Sequence, residues 1–224
     1  MDTIFDMIIG NGNIATAIKD SGINHEQLLI IAAGVSDSTT TNKQHFMREK
    51  EMIQKALKQN KSFKVVYFNT YSKKKNSVYI KHKCEMMNLI SNHTSKYLFI
   101  ALPIVCGKSN NNKQLIPWLM DSLINDKIVS INPNARRYII SSEIIPRCIE
   151  LLRNTDFKNA AILSKRCYHI KDIMYILEKT FNKKFKLAYN NDEKYIYIPA
   201  DHNQFEYIQY EESSLEVILN KYYT

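Results

Sequence analysis

Long hydrophobic runs are missing from this chain of 224 residues. The longest, Leu28 to Val35, is far too short to cross a bilayer, which argues against membrane insertion. The opening residues Met1-Asp2-Thr3-Ile4-Phe5-Asp6 lack the basic start of a secretion signal, so the expected location is the cytoplasm. Cysteine is sparse as well. Cys84, Cys106, Cys148 and Cys167 are widely spaced with no CxxC pair, which excludes an evident disulfide framework or zinc site and leaves them reading as small buried hydrophobes. No metal site is expected. Zinc-finger spacing, an RNP-like aromatic motif and a basic tail are all lacking, and nucleic acid is therefore not the expected partner.

What is present is a globular composition and an uneven charge. The length suits one sizeable domain, residues 1–224, able to bury a real core. Arg48 to Lys83 holds eleven Lys/Arg against Glu49 and Glu51, which accounts for the net charge of +9, and the remainder sums to zero. A basic face invites a polyanion, either nucleic acid or a diphosphate-bearing small molecule. The run Lys73-Lys74-Lys75 reads as a solvated surface.

Thr3 to Ile9 is an apolar run ending in Gly10-Asn11-Gly12-Asn13-Ile14-Ala15, with a helical pattern following to about Ser21. Gly10 permits a tight turn, Gly12 lets backbone approach a pyrophosphate, and the helix N-terminus faces the anion; an ordinary βα turn would carry the same pattern. Gln27 to Ala33 is a second strand closed by Ala32-Ala33-Gly34-Val35-Ser36-Asp37. Asp37 could grip an adenosine ribose, or the small residues could flank a cofactor in mid-sheet; the second reading is preferred, and it implies that the usual second and third strands are missing. A helix over Lys43 to Gln59 has an inward stripe of Phe46, Ile53, Ala56 and Leu57, and Lys64 to Thr70 is a buried strand. Lys96 to Pro103 is another. Beyond it, helices near Leu115–Asn125, Ile144–Arg153, Ile170–Thr180 and Ser214–Tyr222 alternate with strands at Ile128–Ile131, Asn159–Leu163 and Lys184–Ala188. The alternation predicts an α/β fold with a Rossmann-like, doubly wound parallel sheet, truncated in its first half, whose ligands bind beyond the carboxyl ends of the strands.

Between the strands at Lys64 and Lys96 lies a helix carrying Tyr79 and Lys83, four residues apart and so on one face, continued by Met86 and Ile90. An ammonium beside a phenol stabilises the phenolate and lowers its pKa, which makes the pair a candidate acid/base couple for a sugar hydroxyl.

With these motifs in order, the sequence resembles the extended short-chain dehydrogenase/reductase family, the nucleotide-sugar epimerases, dehydratases and 4-keto reductases. Gly10 to Ala15 looks like the family's glycine motif, Ala32-Ala33-Gly34 like its mid-sheet motif, Val65 to Thr70 like the strand ending in the catalytic Ser/Thr, and Tyr79 to Lys83 like its YxxxK. Leu102-Pro103-Ile104-Val105-Cys106-Gly107 is similar to its Leu-Pro-x-Val-Tyr-Gly segment. The resemblance implies NAD or NADP as cofactor, held by Gly10, Gly12, Asn13, Ile14, Ala33, Gly34, Lys83 and Pro103. It implies Tyr79 as acid/base, Lys83 as its partner and Thr70 as a hydrogen-bond donor to the reacting oxygen. It also implies a nucleotide sugar contacted by Ser36, Arg48, Gly107, Leu115 and Arg136, within a small C-terminal substrate lobe formed mainly by 104–135 and 159–224. A homodimer is compatible with it.

The departures are specific. Thr70 is only nine residues before Tyr79, so Asn69 or Ser72 could hold its place. Ser141-Ser142-Glu143 replaces an acidic motif, and Arg48-Glu49-Lys50 stands where the family often has a structural asparagine. The implied function is 4-keto reduction or epimerisation of a nucleotide sugar in surface-glycan synthesis. The alternative is a dinucleotide-binding sensor or scaffold that has lost turnover.

Overall fold

The computed structural model describes residues 7–35, 37–71, 77–108, 114–190, 206–211 and 214–223. The chain opens with β1 (Ile8–Ile9) and α1 (Asn13–Ser21), followed by β2 (Leu28–Ile31), α2 (Lys43–Gln59), β3 (Lys64–Thr70), α3 (Val78–His93) and β4 (Tyr97–Leu102). Next come β5 (Ile104–Cys106), α4 (Leu115–Ile124), β6 (Ile128–Ile131), β7 (Arg136–Ser141) and α5 (Ile144–Arg153). The remainder is β8 (Asn159–Ser164), β9 (Cys167–His169), α6 (Ile170–Phe181), β10 (Lys186–Tyr189), β11 (Glu206–Tyr210) and α7 (Leu215–Tyr223). Of the first expected strand, Thr3 to Asp6 lie outside the described residues.

Six parallel strands form the main sheet in the order β1-β2-β3-β4-β8-β11. The interiors of β2, β3, β4 and β8 are near-continuous apolar runs because both faces are covered. On one face Leu28, Ile30, Val66, Leu98 and Ile100 meet Ala15 and Ile18 of α1 and Ile145, Ile149 and Leu152 of α5. On the other, Leu29, Ile31, Val65, Tyr67 and Phe99 meet Ile53, Ala56 and Leu57 of α2 and Met86 and Ile90 of α3. A second apolar cluster joins α4, β6, α6 and α7 beside the two small sheets, β10-β6 and β5-β7-β9. The strands β8 and β11, although inside the stretch 159–224, belong to the main sheet rather than to this lobe.

The truncation read from the sequence is present: β1 is the edge strand, and among the described residues no strand lies beyond it. The steps β1 to β2 and β2 to β3 run the same way across the sheet, yet α1 and α2 sit on opposite faces. The two crossovers are therefore of opposite hand, where parallel crossovers are almost always right-handed. No helix among the described residues is long and apolar enough to cross a membrane. Cys106 and Cys148 are buried as expected, whereas Cys84 is exposed. Arg48, Lys50, Lys55 and Lys58 are all exposed on α2, and Lys73 to Lys75 lie outside the described residues.

Candidate active site

The glycine turn closes β1 against β2. Gly10 has φ +134, and a β-carbon there would stand 2.8 Å from the Ala32 carbonyl carbon and oxygen, so this position accepts no side chain. Gly12 is the N-cap of α1 and supplies no side-chain cap, leaving the first amides of the helix for an anion. Asn13, the first residue of α1, packs its amide against Gly107, whose α-carbon has no room for a β-carbon beside it. The Asn13 Nδ2 is buried with no hydrogen-bond partner among the described residues. Gly10, Gly12, Ala33, Gly34, Thr70 and Pro103 all fall at carboxyl ends of parallel strands, as expected.

On the α2/α3 face below this edge, Glu49 is only 2 % exposed. Its Oε1 accepts hydrogen bonds from Lys83 Nζ and from the Tyr67 hydroxyl, each at 2.8 Å. Its Oε2 accepts from the Val35 N–H at 2.8 Å and lies 3.1 Å from His82 Nε2. Lys83, 5 % exposed, also donates to the Tyr67 oxygen at 3.1 Å. Phe46 lies against His82 in a tilted contact with ring centroids 4.6 Å apart. Gly34 passes directly over the carboxylate, where a β-carbon would lie 2.6 Å from Oε1. Burial pushes the Glu49 carboxyl up, but the Lys83 charge and hydrogen bond, the Val35 N–H and the Tyr67 hydroxyl outweigh it and hold its pKa below the ordinary glutamate value.

This cluster changes the expected role of Lys83. Its ammonium lies 5.7 Å from the centre of the Tyr79 ring, so the two residues do share a face. The half-buried Tyr79 nevertheless has its pKa raised, first by burial and then by the Glu49 charge. The expected lowering by Lys83 is not found, because a carboxylate neutralises that ammonium at hydrogen-bond distance.

Sequence reading missed Glu49, Tyr67 and His82 as partners. A signal existed for the first: Phe46, Glu49, Ile53 and Ala56 follow the 3-4-3 spacing of one helix face, placing a charge on an apolar stripe. Strand alternation also separates the two candidates at the end of β3. Asn69 points to the α3 side, where its Nδ2 donates to Met87 Sδ at 2.8 Å, and Thr70 falls on the opposite side. Ser36 and Ser72 lie outside the described residues. Arg48 and Arg136 are exposed, and Leu115 opens α4; no described contact joins these three to the Tyr79 cluster. Hollows of about 350 Å³ beside α6 and about 200 Å³ at the amino ends of β2 and β3 are lined by none of these residues.

No family model and no curated protein matches the sequence. Solved structures do match the fold. A UDP-glucuronic acid 4-epimerase from Bacillus cereus, in complex with UDP-glucuronic acid and NAD, is similar with a TM-score of 0.65 at 16% identity over 94% of this chain and 76% of that one. A dTDP-4-dehydrorhamnose reductase from Clostridium acetobutylicum gives 0.66 at 11% identity, covering 95% of this chain and 90% of that one. A dTDP-glucose 4,6-dehydratase from Bacillus anthracis in complex with NAD gives 0.64 at 13% identity, with 94% and 76% covered. The chain thus has the Rossmann-like fold that these epimerase, dehydratase and reductase structures share.

Proposed function

We propose that this protein is an NAD(P)-dependent oxidoreductase acting on a nucleotide-activated sugar, with 4-keto reduction as its favoured reaction. The observation that carries this reading is Tyr79 and Lys83 on one face of α3, beside the carboxyl edge of a sheet that opens with a glycine turn. The cofactor-facing residues fit a diphosphate: Gly10 admits only glycine, and among the described residues the α1 N-terminus has no side-chain cap and the buried Asn13 Nδ2 has no partner. When bound, the nicotinamide supplies the hydride.

The residues of this chain then divide the remaining work. Among the described residues Lys83 uses two of its three N–H donors on Glu49 and Tyr67, which leaves one for a ribose hydroxyl. Tyr79 is held as a phenol by burial and by the Glu49 charge, which suits donation of a proton to a keto oxygen better than removal of one from a hydroxyl. On this reading Asn69, whose side chain lies on the α3 side of the sheet, rather than Thr70 holds that oxygen, its Nδ2 exchanging Met87 Sδ for it. Burial of the cluster keeps Lys83 in a single position.

In a Tyr79→Phe variant, turnover of the 4-keto sugar nucleotide should fall roughly a hundred- to ten-thousand-fold while NAD(P)H binding is unchanged. Full retained turnover would sink the acid role. One observation favours a second reading: the Glu49–Lys83 ion pair quenches the charge that would activate Tyr79, as in a dinucleotide-binding sensor without turnover. Tight NAD(P)H binding with no hydride transfer to any 4-keto sugar nucleotide would decide for it.

A further inference from the structure

We propose, on the reading that this chain binds NAD(P), that it recognises only the nicotinamide mononucleotide half of the cofactor and does not distinguish NADH from NADPH. In a doubly wound sheet the dinucleotide straddles the first strand, and the adenosine ribose is gripped from the strand on the far side, about twenty residues after the glycines. Among the described residues β1 is the edge, and the one strand paired to it, β2, leads to Gly34, which lies over the Glu49 carboxylate. The adenosine side has no strand among the described residues.

The connection from α1 to β2 does not substitute for one. It turns through the left-handed Gly22, φ 66, and Gln27, φ 63, within a few residues. Arg153 at the end of α5 pins it, donating from Nη1 to the Asn24 carbonyl and from Nη2 to the Glu26 carbonyl at 3.0 Å. Glu26 and Gln27 lie beside Leu28 and Lys64, at the amino ends of β2 and β3, so the connection is tied down at the edge opposite the ligand side. Asp37, at the sequence distance expected of a ribose-gripping acid, is turned inward on its own loop: its Oδ1 accepts from the Thr39 N–H at 2.9 Å and from the Thr39 hydroxyl at 2.6 Å. The cation at the glycine turn, Lys19, donates to the Gly10 carbonyl at 3.2 Å.

The nicotinamide side keeps its parts. Among the described residues no atom beyond the chain neighbours lies within 4 Å of where a Gly12 β-carbon would stand, and Lys83 retains one donor beside Tyr79. Affinity should therefore reside in one phosphate, one ribose and the nicotinamide.

The test is calorimetric titration of the full chain with NADH, NADPH and reduced nicotinamide mononucleotide. The three dissociation constants should agree within about threefold, less than the tenfold that 1.4 kcal/mol of extra contact would give. A larger preference for either dinucleotide overturns the inference and leaves the dinucleotide-binding reading standing, and a preference for NADPH alone would point to Lys19. Failure of all three to bind at millimolar concentration overturns both. Gly12→Val, which fills space that no described residue occupies, should weaken all three ligands to the same extent; unchanged binding would show that the phosphate lies elsewhere and would also overturn the proposal.

Discussion

Glu49 offers two oxygens to Lys83, Tyr67, His82 and the Val35 amide, in a place where water does not compete. A buried ion pair adds little net stability when intact, but losing one partner strands the other charge. Glu49→Gln should therefore cost about 3–5 kcal/mol at neutral pH, measured by chemical denaturation. Its pH dependence has a definite sign. The folded-state pKa lies below the unfolded value of 4.5, so the carboxylate contributes stability above that value, and this is lost as pH falls through the folded pKa. The wild type should lose stability on acidification below that value more steeply than Glu49→Gln; parallel curves would show that the Lys83 pairing does not set the Glu49 pKa. At this scale the sequence exposed the ends of the site and hid its middle. Tyr79 and Lys83 were legible from a four-residue spacing, and Gly10 from a turn that admits nothing larger. The pairing of Glu49 with Lys83 spans 34 positions, and spacing within one helix carries no information about a partner on another.

Helices with a clear apolar stripe were legible almost to the residue: α2 and α5 match the expected Lys43–Gln59 and Ile144–Arg153, and β3 matches Lys64–Thr70. What sequence did not reveal were β5, β7, β9 and β11, strands of three to six residues whose existence depends on a partner. In β7, Arg136 and Arg137 read as polar, yet they pair in register with His169 and Tyr168 of β9. Element ends hide similar cross-chain links. Lys64, the first residue of β3, donates to the carbonyls of Thr155 at 2.7 Å, Arg153 at 3.1 Å and Leu152 at 3.5 Å, closing the C-terminus of α5. A cation there satisfies orphan carbonyls and opposes the helix dipole. Burial first, and then the neighbouring Lys158 charge, lower the Lys64 pKa and offset part of the gain. Lys64→Met, which keeps the stem and removes the charge, should lower stability by about 1 kcal/mol in urea unfolding. A variant as stable as the wild type would mean that water serves those carbonyls equally well.

Across the whole molecule, alternation alone announced the parallel sheet, and the small residues Ala32-Ala33-Gly34 that close β2 pointed to the missing strands. It did not announce that α1 and α2 would take opposite faces, because a crossover's side depends on the sheet it packs against. Nor did it show how the lobe is joined. Strand β7 carries the join: Ile139 packs into the cluster of α4, β6, α6 and α7, while the next residue, Ile140, packs into the sheet core. The C-terminal helix completes the lobe from outside, burying Leu215, Ile218 and Leu219. Its Tyr222 hydroxyl lies 2.7 Å from Ser141 Oγ, and Lys221 Nζ donates to Glu143 at 2.7 Å. With two apolar clusters sharing one strand, local opening of the lobe need not unfold the sheet. Leu219→Ala should cost about 2–5 kcal/mol of lobe stability by leaving a cavity. Hydrogen exchange should then rise in α4, β6, α6 and α7 and stay slow in β2, β3 and β4. A uniform rise would mean that the two clusters open as one unit, so that the lobe would have no motion of its own.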